Sequence, residues 1–119
     1  MAYSVFEYMY RDASNYKSFG VLWISGSVNG SMHQIFRTCL ECDDMFIAEQ
    51  VNIEPLYQKL FNYSNGRTID DHSWHTFLGF RPEKRLPKSV QLSGYIKEFV
   101  DRFVVAGKCW DPALSPNFQ

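Results

Sequence analysis

Two short stretches are the chemically unusual segments of this chain. The first is Asp70-Asp71-His72-Ser73-Trp74-His75, with two carboxylates and two imidazoles inside six residues. Those groups are the ligands of hydrolytic metal sites and the partners of general acid–base pairs. The catalytic candidates are therefore His72, His75 and Asp71, with Asp70 or Asp12 as the further carboxylate. In a loop or strand, His72 and His75 do not automatically face the same way, and a metal would need ligands from elsewhere, such as Asp12, Asp43 or Asp44. The plainer reading is a strand-entry loop in which Asp and Ser bond nearby backbone and Trp74 anchors into the core. No metal is assigned.

The second stretch is Tyr10-Arg11-Asp12-Ala13-Ser14-Asn15-Tyr16-Lys17. Arg11 and Lys17 are suited to an anionic group, with Ser14 and Asn15 supplying hydrogen bonds. A ligand site built here would draw on Tyr10, Arg11, Asp12, Asn15, Tyr16 and Lys17, with Trp74 from the first stretch. Ser14 has neither a glycine elbow nor an adjacent base, so it does not read as a nucleophile. As structure alone, the stretch is the polar end of a hairpin. The decisive question is whether the two stretches meet in space, because together they would make one composite pocket.

Two smaller groups compete with these. Cys39-Leu40-Glu41-Cys42 with His72 and His75 has the inventory of a Cys2His2 zinc site, yet Cys39 falls on the apolar stripe of a helix, where a small buried residue belongs. Cys109 lacks any partner pattern. Arg81, Lys84, Arg85 and Lys88 form a basic loop without the glycine-rich cradle or stacking aromatics of a nucleic-acid binder.

The elements that must position these residues follow from periodicity. Residues 3–10 alternate Phe6, Tyr8 and Tyr10 against Val5, Glu7 and Met9, the period of a strand. Residues 19–27 form a second aromatic and β-branched run, so the two read as an antiparallel hairpin closed by the 10–17 turn. A helix follows Asn29-Gly30, with Ser31 and Gln34 as a capping box and Met32, Ile35, Phe36, Cys39 and Leu40 on one face. It should end at Asp43-Asp44. Residues 46–51 read as a short strand, Pro55 to Phe61 as a short helix, and Asn65-Gly66 as a turn. Residues 75–80 form a strand and 81–88 a loop. Ser93 caps a last helix with a stripe of Ile96, Phe99, Val100, Phe103 and Val104, ending at Gly107.

The order β-β-α-(β)-α-β-α gives an α+β fold: a two-layer sandwich of a mainly antiparallel sheet with helices packed on one face. At 119 residues the chain is read as a single domain, residues 1–119. A net charge of −1 argues against a nucleic-acid binder acting through a broad basic field. No apolar run approaches the roughly 20 residues of a membrane span. An odd cysteine count of three, with no secretion signal at the N-terminus, points to a reducing, cytoplasmic setting.

The segments Tyr10-Arg-Asp-Ala-Ser-Asn-Tyr-Lys17, Phe46-Ile-Ala-Glu-Gln-Val51 and Asp71-His72-x-Trp74-His75 resemble those of a group of small bacterial proteins without an established activity. The resemblance spans about residues 6–80. It implies a bacterial, cytosolic, single-domain protein and brings no catalytic residues or cofactor with it. The expected function is a small binding or interaction protein, with self-association through the sheet's open face or edge as one form of it. The partner would be a protein or small-molecule ligand rather than nucleic acid or membrane. The alternative is a small hydrolytic or metal-dependent enzyme using His72 and His75 with Asp70, Asp71 or Asp12.

Overall fold

The computed structural model describes residues 2–11, 17–42, 44–56, 74–108 and 110. Strands β1 (Tyr3–Arg11) and β2 (Lys17–Ser25) form the expected hairpin, in unbroken register from Arg11 opposite Lys17 to Tyr3 opposite Ser25. Helix α1 (Gly30–Thr38) follows, then β3 (Met45–Ile47), a 3-10 turn (Ala48–Val51), β4 (Trp74–Glu83), β5 (Leu92–Tyr95) and helix α2 (Ile96–Ala106). The sheet order is β3-β4-β1-β2-β5, antiparallel throughout except that β5 runs parallel to β2. No described helix is long and apolar enough to cross a membrane.

Both helices lie on the sheet face that carries Phe6, Tyr8 and Tyr10, as the alternation in β1 requires. Phe6 is the hub of this core. Its ring centroid lies 4.9 Å from Phe99 and 6.0 Å from Phe103 on α2, 6.1 Å from Phe36 on α1, and 5.4 Å from Phe77 on β4. Much of the aromatic content thereby lies in one buried cluster of mostly edge-to-face and tilted ring pairs, with Phe6 stacked on Phe77. α1 buries Phe36 against this cluster, with Met32 and Cys39 partly covered, while Ile35 stands exposed.

Several boundaries differ from the sequence expectation, each for a local reason. The cap of α1 is Asn29, whose side chain accepts the Met32 N–H at 2.8 Å, so the helix starts one residue before Ser31. It ends at Thr38, whose hydroxyl donates to the Ile35 carbonyl at 2.6 Å, well before Asp44. Only Phe46 and Ile47 of the 46–51 run pair as a strand, together with Met45 before them; the chain then tightens into the 3-10 turn, which Asn52 closes in the left-handed region at φ 58°. The 92–95 stretch pairs as β5, so Tyr95 rather than Ser93 precedes α2. β4 extends through Glu83 into the expected loop. The helix and turn expected over 55–66 fall mainly outside the described residues.

A bulge in β4 changes which of its side chains face the core. Glu7 pairs with Gly79 and Tyr8 with Phe77, which leaves Leu78 as the extra residue. Strict alternation would put Phe80 opposite His75 and Phe77. With the extra residue, His75 and Phe77 are buried on the helix side and Phe80 joins them against Phe6 at 5.5 Å.

Gly107 ends α2, but not through a left-handed backbone, since its φ is −66°. A Cβ there would sit 2.6 Å from the Cys39 carbonyl oxygen. Glycine is required by the close approach of the two helix ends. Trp110 reinforces the same junction, with its indole N–H donating to the Cys39 carbonyl at 2.8 Å.

Candidate functional site

The described ends of the two chemistry-bearing stretches do meet. Met9 pairs with Thr76 across β1 and β4, which sets Tyr10 beside His75, with ring centroids 5.2 Å apart. The contact is sealed, because both residues are fully buried. His75 also packs at 5.9 Å from Phe46 and 6.1 Å from Tyr8. Its Nε2 accepts the backbone N–H of Leu56 at 3.0 Å, so that nitrogen carries no proton and the ring is the neutral Nδ1–H tautomer. This imidazole fastens the 53–56 segment to β4 inside an aromatic core.

The other candidates are placed as follows. Arg11 and Lys17 are exposed and directly opposite one another at the mouth of the hairpin. Trp74 is half-buried, opposite Ile47 in β3 and 6.3 Å from Trp110. Asp12, Asn15, Tyr16, Asp70, Asp71 and His72 lie outside the described residues. Cys39 packs at the end of α1 and its thiol donates to the Ile35 carbonyl at 3.3 Å; burial pushes the thiol's pKa up, away from the reactive thiolate. Cys42 is exposed. Among the described residues no three His, Cys, Asp or Glu side chains gather closely enough to hold a metal ion.

A row of exposed apolar residues lies on the other side of the sheet. Residues opposite one another in register share a face, so Phe19 with Met9, Val21 with Glu7, and Trp23 with Val5 and Leu92 all point away from the helices. Tyr95 joins them through Ser25. Along this outer face Phe19 is 59% exposed, Val21 52%, Leu92 40% and Tyr95 66%. The described charges in that register are Glu7, Arg11, Lys17, Arg81 and Glu83, of which Arg81 and Glu83 pair with each other at 3.6 Å.

A cleft of 380 Å³ opens at the edge of the same strand, lined by Tyr8, Phe19, Gly20, Val21, Leu22, Glu54 and Leu56. Its floor is Tyr8, whose hydroxyl donates to the Glu54 carbonyl at 2.9 Å. Burial, with the negative charge of Glu54 second, pushes the Tyr8 phenol up to about 12. Gly20 lets the strand pass close to its neighbours here, because a Cβ would meet the Tyr8 ring and the Leu56 side chain at 2.9 Å. Sequence reasoning missed this cleft. The available signal was a glycine in the middle of an aromatic and β-branched strand, which marks a close approach; Glu54 and Leu56 arrive from too far along the chain to be foreseen. Elsewhere a broader groove of 820 Å³ runs between the 3-10 turn and α2, beside Glu49, Glu98, Asp101 and Arg102.

Comparison of the chain with protein-family models, with curated proteins and with solved structures found no match.

Proposed function

We propose that this protein is a small binding module that docks a protein or peptide partner on the outer face of its sheet, centred on β2. The observation that carries the reading is the row Phe19, Val21, Leu92 and Tyr95, all at least 40% exposed and contiguous in register on the side opposite both helices. Apolar residues scattered singly over a surface need no explanation, whereas a contiguous set of large ones marks an interaction site. The aromatic share of 17% serves both faces: the core through Phe6, Phe36 and their neighbours, the recognition surface through Phe19, Trp23 and Tyr95.

The environment of His75 weighs against the hydrolytic alternative. A general base or metal ligand needs a lone pair that substrate or metal can reach, and Nε2 is buried and engaged by the Leu56 N–H. Peptides selected from a random display library test the binding reading, with their footprint mapped by amide chemical shifts. Shifts should concentrate on β2, Leu92 and Tyr95. Failure to select any peptide, or a footprint confined to the α1 and α2 surfaces, would remove the basis for it.

A further inference from the structure

We infer that the edge of β2 at residues 17–22 pairs with the same edge of a second copy, joining two five-stranded sheets into one across a two-fold axis. This rests on the binding reading and names one partner for it. β5 pairs with β2 only at Trp23 and Ser25, so residues 17–22 have no strand on their outer side among the described residues. An open edge presents a row of backbone N–H and C=O groups to any extended chain, and proteins that remain monomeric guard such edges with charges, proline or bulges. Here the run Ser18-Phe19-Gly20-Val21-Leu22 contains no charge and no proline, and its register with β1 is unbroken. Lys17 at the end of the edge is the one charge in residues 17–22, and every copy of the chain carries the same uncharged run beyond it, so the nearest competent strand is the edge of another copy.

The shapes fit a second copy. An incoming strand must pass Glu54 and Leu56 on the helix side of the sheet. The β2 residues that face that side are Ser18, Gly20 and Leu22, and the first two are small enough to lie in the 380 Å³ cleft. Antiparallel self-pairing also satisfies two-fold symmetry, because opposite residues keep the same face when the axis passes at Phe19 or Gly20. An axis at Gly20 sets Phe19 of each copy opposite Val21 of the other on the outer face, and an axis at Phe19 sets the two Phe19 side chains opposite one another and Val21 opposite Lys17. β5 blocks pairing beyond residue 22, which limits the register. The association closes at two copies: the far edge of the sheet is β3, only three residues long. Pairing would also double the apolar outer face into one continuous docking surface.

Sedimentation velocity over a concentration series tests this, together with isotope-filtered NOEs on a mixture of labelled and unlabelled chains. The expected result is a dimer of twice 13.9 kDa with intermolecular backbone NOEs confined to residues 17–22. Phe19→Lys with Val21→Lys sets like charges across the axis and should raise the dimer dissociation constant about tenfold or more, with amide dispersion unchanged as the check on folding. A chain that stays monomeric to about 500 µM, or a dimer whose NOEs lie elsewhere, overturns the inference. A monomer that still binds display-selected peptides on the outer face would leave the binding reading standing; a monomer that binds none would remove both.

Discussion

His75 Nε2 accepts the Leu56 backbone N–H at 3.0 Å inside a wall made by Tyr8, Tyr10 and Phe46. The bond joins residues 19 positions apart and holds the 53–56 segment where Leu56 and Glu54 can flank the edge of β2. A residue with the appearance of a catalytic base thus builds the rim of the candidate binding surface from behind. Its partner in that wall, Tyr10, lies opposite Ser18 of β2 in the hairpin.

Replacing His75 should therefore cost stability. His75→Ala removes the acceptor of a buried N–H and opens a void, for which about 3–5 kcal/mol is the expected loss in urea unfolding. His75→Phe fills the space but leaves the Leu56 N–H unsatisfied, so its loss should be smaller, about 1–3 kcal/mol. A stability change within about 0.5 kcal/mol for His75→Ala would show that the Leu56 bond carries little.

Tyr8 makes a pH-dependent contribution whose sign is fixed by its phenol, held at about 12 against the ordinary 10.0. The folded state favours the neutral hydroxyl, so this stabilisation is complete below pH 10 and is lost as pH rises through 12. Its full extent is on the order of 2–3 kcal/mol. Tyr8→Phe should abolish that part of the alkaline slope while losing the bond to the Glu54 carbonyl, roughly 1 kcal/mol at neutral pH. Unfolding curves from pH 9 to 12, with phenolate absorbance followed in parallel, provide the check. An unchanged alkaline slope in Tyr8→Phe would place the titration on another residue.

Two of the close-approach glycines, Gly20 and Gly107, should respond differently to the same change. A Cβ at Gly107 meets backbone, the Cys39 carbonyl oxygen at 2.6 Å, whereas at Gly20 it meets the ends of the Leu56 and Tyr8 side chains at 2.9 Å. Leu56 can rotate away more readily than a helix end can retreat. Gly107→Ala should therefore destabilise by about 1–3 kcal/mol and more than Gly20→Ala. Thermal unfolding of both variants decides the order, and the reverse ranking would mean that the edge of β2 is the more rigid of the two sites.

Phe6→Ala should be among the most damaging of the core substitutions, about 3–5 kcal/mol, because that ring contacts both helices and β4 at once. Phe6→Leu, which keeps much of the volume, should lose clearly less. Equal losses would indicate that ring geometry matters more than filled space.

The legible part of the fold was what periodicity and capping report. The alternation of Phe6, Tyr8 and Tyr10 identified the buried face of β1, and the stripe Ile96, Phe99, Val100 and Phe103 identified the buried face of α2. Less legible were features set by neighbours. The β4 bulge at Leu78 depends on register with β1, and β5 forms because residues 92–95 lie along β2, although Ser93 has local cap chemistry. The site was harder still. The spacing of Tyr10 and His75 could not reveal that their contact is fully buried, and solvent exposure of Phe19 and Val21 depends on which side of the sheet the helices cover. An apolar strand reads alike in sequence whether it is covered on one face or two.

The central claim is that β2 presents the interaction surface, and Val21→Lys tests it most directly. Val21 is 52% exposed, so the substitution should leave the melting temperature nearly unchanged. Titration of wild-type and Val21→Lys protein with the same display-selected peptide, read by amide shifts, should show affinity falling about tenfold or more in the variant. Equal affinity in the two proteins, with the same footprint, would contradict the account.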